Sequence, residues 1–568
     1  MPFCKVRLPG GDRVIPFDPG ASLRDVLASC GLSLGTCGGR GTCGGCQVSV
    51  SGHLPPRDPR EDRLPSGRRF ACLTRPLGDV EVRLDEPGGA RVVPLELRVE
   101  PRALPFQVEL DRGSLGDFRD IRGAIGGLAS KGGLHVREVS LPALRGALEL
   151  LGMRRSHAMG WVLGGRVVLV APQGVVPVGI AADLGSSNLD LAAVDLVSGV
   201  VMGRVRVENL QRRVASDLVS RLALALEGGL EELRSLLVRS FQVGLEKLLG
   251  VSGVEPRQVV AVYCGCNPVV GDLLAGLPPS GLAESPFIPS DFGVRRLCAR
   301  ALGLGLDCPL VILAGMGGFV GSDALALLYG TRDLDRVPCL LMDLGTNGEV
   351  VLDLGDRVLG ASTAAGPAFE GYGISCGVPA GEGAVTAVRG SIGDMELEVQ
   401  GGGEPMGICG SGLISLVSFL LREGLMDGSG KLKGPQFFEL RPDPPLRVTQ
   451  RDLRQFQLAK GAVRAAAELL LMEAGLSPHR VVRWVVSGLL GSSVGVDDLV
   501  RVGLMPFGVE ERVEVEPNGV LVGLARALAS GEDGLREVED LSGMCRVVRL
   551  DGARHFNRVL MDSLGYQG

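Results

Sequence analysis

The sequence predicts a multidomain protein that combines α+β and α/β parts. Three observations lead to this expectation. The chain has 568 residues, which corresponds to about three or four domains at about 100 to 200 residues each. Five of its 14 cysteines lie between Cys30 and Cys72, in a short segment with strand-like patterning. Two similar strand–turn–strand segments lie 160 residues apart in the C-terminal part of the chain.

The composition excludes several classes of partner. The chain carries 59 Lys and Arg residues against 65 Asp and Glu residues, a net charge of −6, with no long basic run. We therefore expect no nucleic acid and no anionic membrane surface as partners, and an aromatic content of 4% argues against base stacking. No uncharged run reaches the length of about 18 residues that spans a membrane, and no leader-like segment precedes Cys4. These features predict a cytoplasmic protein.

The N-terminal cysteine cluster predicts a metal centre. Its spacing is C-x5-C-x2-C, and a fourth cysteine follows after 25 residues. Six glycines between residues 35 and 45 allow the loop to curl around an inorganic cluster and bring backbone N–H groups close to the sulfur atoms. The spacing is close to the plant-type ferredoxin pattern, which has four residues in the first gap. A four-thiolate zinc site is the alternative interpretation. The four ligands expected are Cys37, Cys43, Cys46 and Cys72.

The segments around this cluster predict the N-terminal domain organisation. Short strand-like runs and one helix that begins at Ser22 surround the cysteine loop, and this pattern resembles a β-grasp ferredoxin domain over residues 1–86. Residues 87–112 contain four prolines and predict an extended linker. Residues 113–177 predict a small α/β middle domain.

The two similar segments of the C-terminal part predict a nucleotide site. They read IAADLGSSNL at 180–189 and LLMDLGTNGE at 340–349. Each is an apolar strand that ends in Asp and Gly and is followed by small hydroxyl or amide residues. A tight turn of this kind offers backbone N–H groups and hydroxyls to phosphate, and its Asp can hold Mg²⁺ directly or through water. Two such turns predict duplicated lobes around one nucleotide, although two unrelated strand–turn pairs would give the same pattern.

This arrangement resembles the superfamily of actin, sugar kinases and acetate kinase. There is no G-x-x-x-x-G-K-[ST] motif, so a P-loop ATPase is not indicated. The resemblance implies a large two-lobed actin-like (ASKHA, ribonuclease H-like) ATPase domain over residues 178–568.

Four motifs give the whole chain a more specific resemblance. They are DLGTNGE at 343–349, STAAGPAFEG at 362–371, GICGSG at 407–412 and GFVGSD at 318–323. Together with the cysteine cluster, they resemble the reductive activators of corrinoid proteins, which join a [2Fe-2S] domain to an actin-like ATPase. The resemblance implies ATP-dependent reductive activation of a corrinoid protein, with one electron from a [2Fe-2S] cluster reducing Co(II) to Co(I).

The resemblance also implies the roles of individual residues. Asp183, Asp343 and Glu349 would act in catalysis with Mg²⁺. Ser186, Ser187 and Asn188 stand where the family tends to have threonines, and Asp272 stands in place of a histidine. The ATP-binding positions implied are Gly185, Ser186, Ser187, Asn188, Gly345, Thr346, Asn347, Gly348, Gly366, Gly410, Ser411, Gly412, Gly488 and Gly491.

The same resemblance implies the partners. These are a corrinoid protein, either a corrinoid iron–sulfur protein or the corrinoid subunit of a methyltransferase, and an electron-donating reductase. A homodimer is also expected. Two alternatives remain open at this point. One is a small-molecule kinase in which Glu349, Glu370 or Asp323 acts as the base. The other is an ATP-gated chaperone or redox sensor.

Overall fold

The computed structural model describes most of the chain. The described residues are 1–7, 13–29, 46–62, 64, 66–83, 91–92, 97–109, 118–153, 157–215, 217–345, 347–442, 445–488, 494–550 and 555–566. Within these ranges, no helix is both long enough and apolar enough to cross a membrane.

The N-terminal domain is a five-stranded mixed sheet packed against one short helix. Its elements are β1 (Phe3–Arg7), β2 (Arg13–Pro16), α1 (Leu23–Ala28), β3 (Gln47–Gly52), β4 (Arg68–Phe70) and β5 (Val80–Arg83). The strand order is β2-β1-β5-β3-β4, with β1 and β5 parallel. Helix α1 begins after Ser22, whose hydroxyl accepts a hydrogen bond from the backbone N–H of Asp25. The buried face of α1 packs on the sheet through Leu23 and Leu27.

The linker and the middle domain differ from the expected boundaries. Strand β6 (Arg91–Val92) lies in the linker but pairs with a strand of the C-terminal part. The middle domain consists of β7 (Leu104–Glu109), α2 (Ile121–Lys131), β8 (Glu138–Val139), α3 (Leu141–Gly152), β9 (His157–Leu163) and β10 (Arg166–Ala171). Its strand order is β7-β9-β10-β8. Because β7 pairs with β9 along its full length, the domain extends to Leu104 and does not begin at residue 113.

The first lobe of the C-terminal part is built on a seven-stranded sheet. Its elements are β11 (Val178–Leu184), β12 (Asn188–Asp195), β13 (Val201–Glu208), α4 (Leu218–Leu224), α5 (Leu230–Ser252), β14 (Val259–Gly265), α6 (Pro268–Ala275), β15 (Arg295–Cys298) and β16 (Pro309–Ile312). The strand order is β15-β16-β14-β11-β12-β13-β6. Strands β11, β12 and β13 form an antiparallel meander, and β14 and β16 add in parallel on the other side of β11.

Helix α7 (Ser322–Thr331) leads to the second lobe, whose sheet has six strands. The strands and helices that follow are β17 (Cys339–Leu344), β18 (Gly348–Asp353), β19 (Val358–Thr363), β20 (Ala384–Ser391), β21 (Asp394–Val399), β22 (Gly407–Ile408), α8 (Gly410–Arg422), β23 (Phe437–Pro442), β24 (Pro445–Thr449), α9 (Gln450–Ala474), β25 (Arg483–Gly488), α10 (Val496–Arg501), β26 (Val513–Glu516), α11 (Gly519–Ser530), α12 (Glu532–Gly543), β27 (Cys545–Val547) and α13 (Phe556–Leu564). The order of the main sheet is β26-β25-β17-β18-β19-β27.

The two lobes share one topology. In each lobe, three antiparallel strands are followed by two strands that add in parallel beside the first strand: β16-β14-β11-β12-β13 in the first lobe and β26-β25-β17-β18-β19 in the second. The strands that lead into the two predicted turns, β11 and β17, therefore occupy the same central place in each sheet. This repetition is the duplication that the two similar sequence segments predict.

Helices α7 and α11 join the lobes and cross in close contact. A Cβ atom on Gly523 of α11 would lie 1.8 Å from the backbone oxygen of Ala326 of α7. A Cβ atom on Gly330 of α7 would lie 2.6 Å from the backbone nitrogen of Gly523. Glycine at both positions therefore allows the two helix backbones to touch.

This crossing predicts that one added methyl group destabilises the folded protein. We expect Gly523→Ala to lower the free energy of unfolding by about 1–3 kcal/mol, because the helices must separate to accept the side chain. The measurement is thermal unfolding of the full chain. Gly250 provides the matched control, since it lies in helix α5 with no atom near its Cβ position. Gly250→Ala should be neutral or stabilising by up to about 1 kcal/mol. Equal effects of the two substitutions would contradict the close crossing.

Candidate nucleotide site and cysteine centre

The turn between β11 and β12 is held by polar contacts on both sides. A side chain at Gly185 would collide with the backbone oxygen of Asn188, which explains the glycine. The guanidinium of Arg221 donates to the backbone oxygen of Ser186 at 2.5 Å, and the amide of Asn209 donates to the backbone oxygen of Gly185 at 2.9 Å. These bonds fix the turn from the first lobe.

The first turn also contacts the second lobe. The Ser187 hydroxyl donates to a carboxylate oxygen of Glu370 at 2.6 Å, and both side chains are buried. Near them, the guanidinium of Arg212 lies 3.8 Å from the centre of the Tyr372 ring. The hydrogen bond links the predicted phosphate turn to the segment after β19, and the cation–π contact links the segment after β13 to the same region.

The turn between β17 and β18 has the same construction. Asp343, near the end of β17, lies opposite Glu349 of β18, as Asp183 of β11 lies opposite Asp190 of β12. Gly488, at the end of β25, has a φ of 106°, and a Cβ atom there would lie 3.0 Å from a carboxylate oxygen of Asp343. The glycine thus keeps the space beside Asp343 open.

A cleft lies between the two turns and collects polar groups from both lobes. Its floor and walls carry six carboxylates and two arginines. The residues that line it are Asp183, Gly185, Ser186, Asn188, Asp190, Arg204, Arg206, Asn267, Asp323, Asp343, Gly345, Asn347, Glu349, Glu370, Ser487, Gly488, Pro517, Asn518, Gly519, Val520 and Leu521.

Burial and nearby negative charges raise the pKa of four carboxyl groups of this cleft, which favours their neutral forms. Burial, with a smaller contribution from Asp323, raises the pKa of Asp343 to about 7. Burial and the nearby acidic groups also hold the pKa of Asp183 and of Glu349 well above the usual range. For Asp323, burial raises the pKa to about 6. The cleft therefore favours a cation that would compensate the negative charge.

The structure separates the predicted nucleotide-binding residues into three groups. The cleft is lined by Asp183, Gly185, Ser186, Asn188, Asp343, Gly345, Asn347, Glu349 and Gly488. Five other positions, Ser187, Gly348, Gly410, Ser411 and Gly412, are buried beside it, and Gly366 lies in the loop after β19. Thr346 and Gly491 lie outside the described residues, as do Cys37 and Cys43 of the predicted cysteine centre.

The glycines of the 407–412 motif have a packing role. A Cβ atom on Gly410 would lie 1.7 Å from the backbone oxygen of Phe369, and one on Gly412 would lie 2.1 Å from that of Val385. These positions let helix α8 approach the segment that carries Glu370. A direct role of Gly410, Ser411 and Gly412 in nucleotide binding stays a prediction.

Six polar residues of the cleft are absent from the sequence-based prediction: Asp190, Arg204, Arg206, Asn267, Asn518 and Ser487, the last of which lies near the end of β25. Asp190, Arg204 and Arg206 lie on the strands after the first turn, and Asn267 and Asn518 come from distant segments. Charged residues at alternate positions of apolar strands were the available signal for the first three, since they place charge on one face of the sheet. The asparagines carry no comparable signal.

The described cysteines of the N-terminal cluster meet at the end of the sheet. The Sγ atoms of Cys46 and Cys72 lie 3.2 Å apart, and both side chains are buried. The backbone N–H of Ala71 donates to the backbone oxygen of Cys46 at 2.8 Å, which holds the two segments together. Two thiols in a buried pair fit a shared metal centre and the donor chemistry of an iron–sulfur cluster.

A buried ion pair supports the segment that leads to Cys72. The guanidinium of Arg69 donates to the carboxylate of Glu61 at 2.8 Å, and Glu61 also accepts from the backbone N–H of Phe70 at 2.7 Å. The remaining guanidinium nitrogens of Arg69 donate to the backbone oxygens of Pro55 and Pro56. This network satisfies both charges and orients the chain beside the cysteine pair.

Comparison with known proteins places the chain in a family. The family model of the C-terminal domain of RACo, the ASKHA domain, matches residues 337–568, and that of the RACo middle region matches residues 178–336. The chain is 32% identical over 399 residues to the [Co(II) methylated amine-specific corrinoid protein] reductase of Methanosarcina barkeri, covering 64% of this chain and 72% of the relative. This chain belongs to the reductive activators of corrinoid proteins.

Two further similarities agree with this family. The corrinoid activation enzyme RamQ of Eubacterium limosum is 28% identical over 439 residues, which cover 70% of this chain and 71% of the relative. A solved structure of a reductive activator for a corrinoid, iron–sulfur protein superposes with a TM-score of 0.73 at 23% identity, covering 100% of this chain and 98% of that chain. The predicted family and the multidomain fold with an ASKHA domain are thus confirmed.

The carboxylate cluster predicts a pH-dependent gain in stability for Asp343→Asn. The pKa of Asp343 is raised from 3.8 to about 7, so folding without a cation becomes less favourable as the pH rises between these values. The neutral amide removes this effect. In the absence of Mg²⁺ and nucleotide, the variant should exceed the original chain in free energy of unfolding by up to about 4 kcal/mol above pH 7, and by little near pH 4. Thermal unfolding as a function of pH measures the difference.

Asp353→Asn is the control with the opposite sign. Asp353 is buried in the same sheet but pairs with Arg332 at 2.8 Å. Removal of its charge leaves a partly buried arginine uncompensated and should lower stability at pH 7. A stability gain for Asp343→Asn that does not change with pH would contradict the raised pKa of Asp343, whose largest cause is burial.

Proposed function

We propose that this enzyme hydrolyses ATP to drive the one-electron reduction of a corrinoid protein from Co(II) to Co(I). The observation that carries the proposal is the meeting of two duplicated turns, with Asp183 and Asp343, at one acidic cleft between two lobes. The proposal extends the family membership to a substrate class and assigns the chemistry to residues of this chain.

The nucleotide phosphates would lie between the two turns, with Mg²⁺ beside them. Backbone N–H groups of the turns would contact phosphate oxygens. Asp183 and Asp343 enter the cleft from opposite lobes and would hold the cation through water. Within the described ranges, no group of three or more acidic, histidine or cysteine side chains is arranged to hold a metal ion alone. That agrees with Mg²⁺, which usually keeps waters and binds through phosphates and one or two carboxylates.

Asp323 is the proposed base for hydrolysis. It lies in the cleft at the first turn of α7, where one carboxylate oxygen accepts from the backbone N–H of Ala324 at 2.8 Å. Burial raises the pKa of Asp323 to about 6, which suits a group that takes a proton near neutral pH. The oxygen of the water would form a bond to the terminal phosphorus while the bond to the bridging oxygen of ADP breaks. The proton of the water would pass to Asp323.

The cysteine centre is the proposed electron carrier. Cys46 and Cys72 would provide two of the four ligands, and Cys37 and Cys43 the others. When bound, a [2Fe-2S] cluster supplies single electrons, and an electron-donating reductase would replace them. A plant-type cluster has a potential of about −400 mV, whereas the Co(II)/Co(I) couple is expected to be lower. ATP would favour the state of the complex in which the cobalt is more easily reduced.

The proposed partners follow from this chemistry. The substrate would be the corrinoid subunit of a methyltransferase or a corrinoid iron–sulfur protein, and the activator would act as a homodimer.

A kinase would need an organic acceptor beside the terminal phosphate. The similarity to relatives named as a corrinoid activation enzyme and a corrinoid protein reductase favours hydrolysis over a kinase reaction.

The assignment of Asp323 predicts a variant that loses ATP hydrolysis but keeps nucleotide binding. We expect Asp323→Asn to reduce the turnover of ATP by about 100-fold or more, since the amide cannot accept the proton. Affinity for a nonhydrolysable ATP analogue should stay within a few-fold. Phosphate release and calorimetric titration measure the two quantities. Asp291→Asn is the control, because Asp291 is exposed and caps its own turn. Hydrolysis at the original rate in the Asp323 variant would exclude this residue as the base.

The electron-carrier assignment predicts a variant that loses the cluster and Co(I) formation but keeps nucleotide binding. Cys72→Ser should lose iron, sulfide and the electron paramagnetic resonance signal after dithionite, and should form no Co(I) with ATP and a corrinoid protein. It should still bind nucleotide, because the cleft is built from other domains. The control is Cys298→Ser, which changes an exposed cysteine of β15. Zinc in the original protein, or Co(I) formation by the Cys72 variant, would overturn the assignment.

A further inference from the structure

Two arginines line a cleft that is otherwise acidic. Arg204 and Arg206 lie two residues apart on β13, so their side chains share one face of the sheet. They are the only cationic side chains among the described residues that line the cleft. A polyphosphate that entered the cleft would carry its own negative charge past six carboxylates, so the placement of these two cations decides where that charge can lie.

Asp190 fixes the direction of both guanidinium groups. Its Oδ1 accepts from Arg204 at 2.8 Å, and its Oδ2 accepts from Arg206 at 2.7 Å. Asp190 and Arg206 are direct partners in the pairing of β12 with β13. One carboxylate therefore compensates two cations, which leaves one positive charge at this wall of the cleft.

The two arginines differ in how many of their guanidinium nitrogens donate hydrogen bonds within the described part of the protein. Arg204 is nearly fully buried, and its third guanidinium nitrogen donates to the side-chain oxygen of Asn518 at 2.6 Å. Arg206 donates only through Nε, and its side chain is 21% exposed. Among the described residues, its two terminal nitrogens have no hydrogen-bond partner. These nitrogens are thus available to a ligand in the cleft.

The charge of Arg206 reaches the centre of the first turn. Asp183, Asp190 and Arg206 form one row across β11, β12 and β13. The positive charge of Arg206 lowers the pKa of the Asp183 carboxyl, against the larger opposite effect of burial. Arg206 therefore lies close enough to the proposed phosphate position to act on its charge.

We propose that Arg206 binds the terminal phosphate of ATP through its two free nitrogens and thereby distinguishes ATP from ADP. The paired N–H donors of a guanidinium match two phosphate oxygens, and Asp190 holds them in one orientation before the nucleotide arrives. The same contact stabilises the negative charge that spreads over the terminal phosphoryl group during hydrolysis. This inference rests on the proposed function, because it requires the nucleotide to lie in this cleft.

The test compares two nucleotides in the full-length holoprotein with Mg²⁺. Calorimetric titration with ADP and with a nonhydrolysable ATP analogue should show that Arg206→Gln weakens binding of the analogue by about tenfold or more, as expected for a lost charged hydrogen bond. ADP affinity should change less than twofold. Arg206→Lys keeps the charge without the paired donors and should recover part of the lost affinity for the analogue.

Arg296→Gln is the matched control. Arg296 lies on β15 of the same sheet, pairs with Glu532 at 2.8 Å and is outside the cleft. It should leave both affinities unchanged. Equal losses for ADP and for the analogue in Arg206→Gln, or no loss for either, would overturn the assignment of Arg206 while the nucleotide site stands. If the original protein binds neither nucleotide, the proposed site is overturned as well.

Discussion

The crowding of carboxylates between the two turns is the constraint on which the rest of the ATPase part depends. Each turn follows a central strand, and each places one Asp opposite a second acidic residue on the next strand. The duplicated sheets bring both pairs to one buried cleft, where their repulsion is weakly screened. Such a cleft is unfavourable when it is empty and ionised. A bound divalent cation would compensate this charge and thereby stabilise the folded protein.

Contacts between the lobes concentrate near this charge. The bond from Ser187 to Glu370 joins the turn between β11 and β12 to the second lobe, and the bond from Arg204 to Asn518 joins the opposite wall to the segment before α11. Helices α7 and α11 cross through Gly523 with backbone contact. A close-packed crossing of this kind resists sliding of one helix along the other, so it holds the two lobes together beside the acidic cleft.

The sequence allowed the duplicated turns and the cysteine cluster to be predicted because their determinants are local. A strand that ends in Asp and Gly predicts a tight turn wherever it occurs in a chain. The spacing of Cys43 and Cys46 is itself the signal for the cysteine cluster. Residues that act across long separations could not be found in this way. Arg221 holds the backbone of Ser186 from 35 positions away, and Asn518 meets Arg204 from 314 positions away. Only the sheet order and the helix crossing create these neighbours.

The linker strand is hydrogen-bonded to the strand that carries Arg206. Strand β6 follows the N-terminal domain in the chain and pairs with β13, where Arg91 is the backbone partner of Arg206. In the described part of the chain, β6 is an edge strand whose one neighbour in the sheet is β13. Its position is therefore set by the strand to which it is hydrogen-bonded. The linker strand and the strand that carries Arg206, the proposed phosphate-binding residue, therefore belong to one backbone ladder, so a residue of the linker lies directly beside this wall of the cleft.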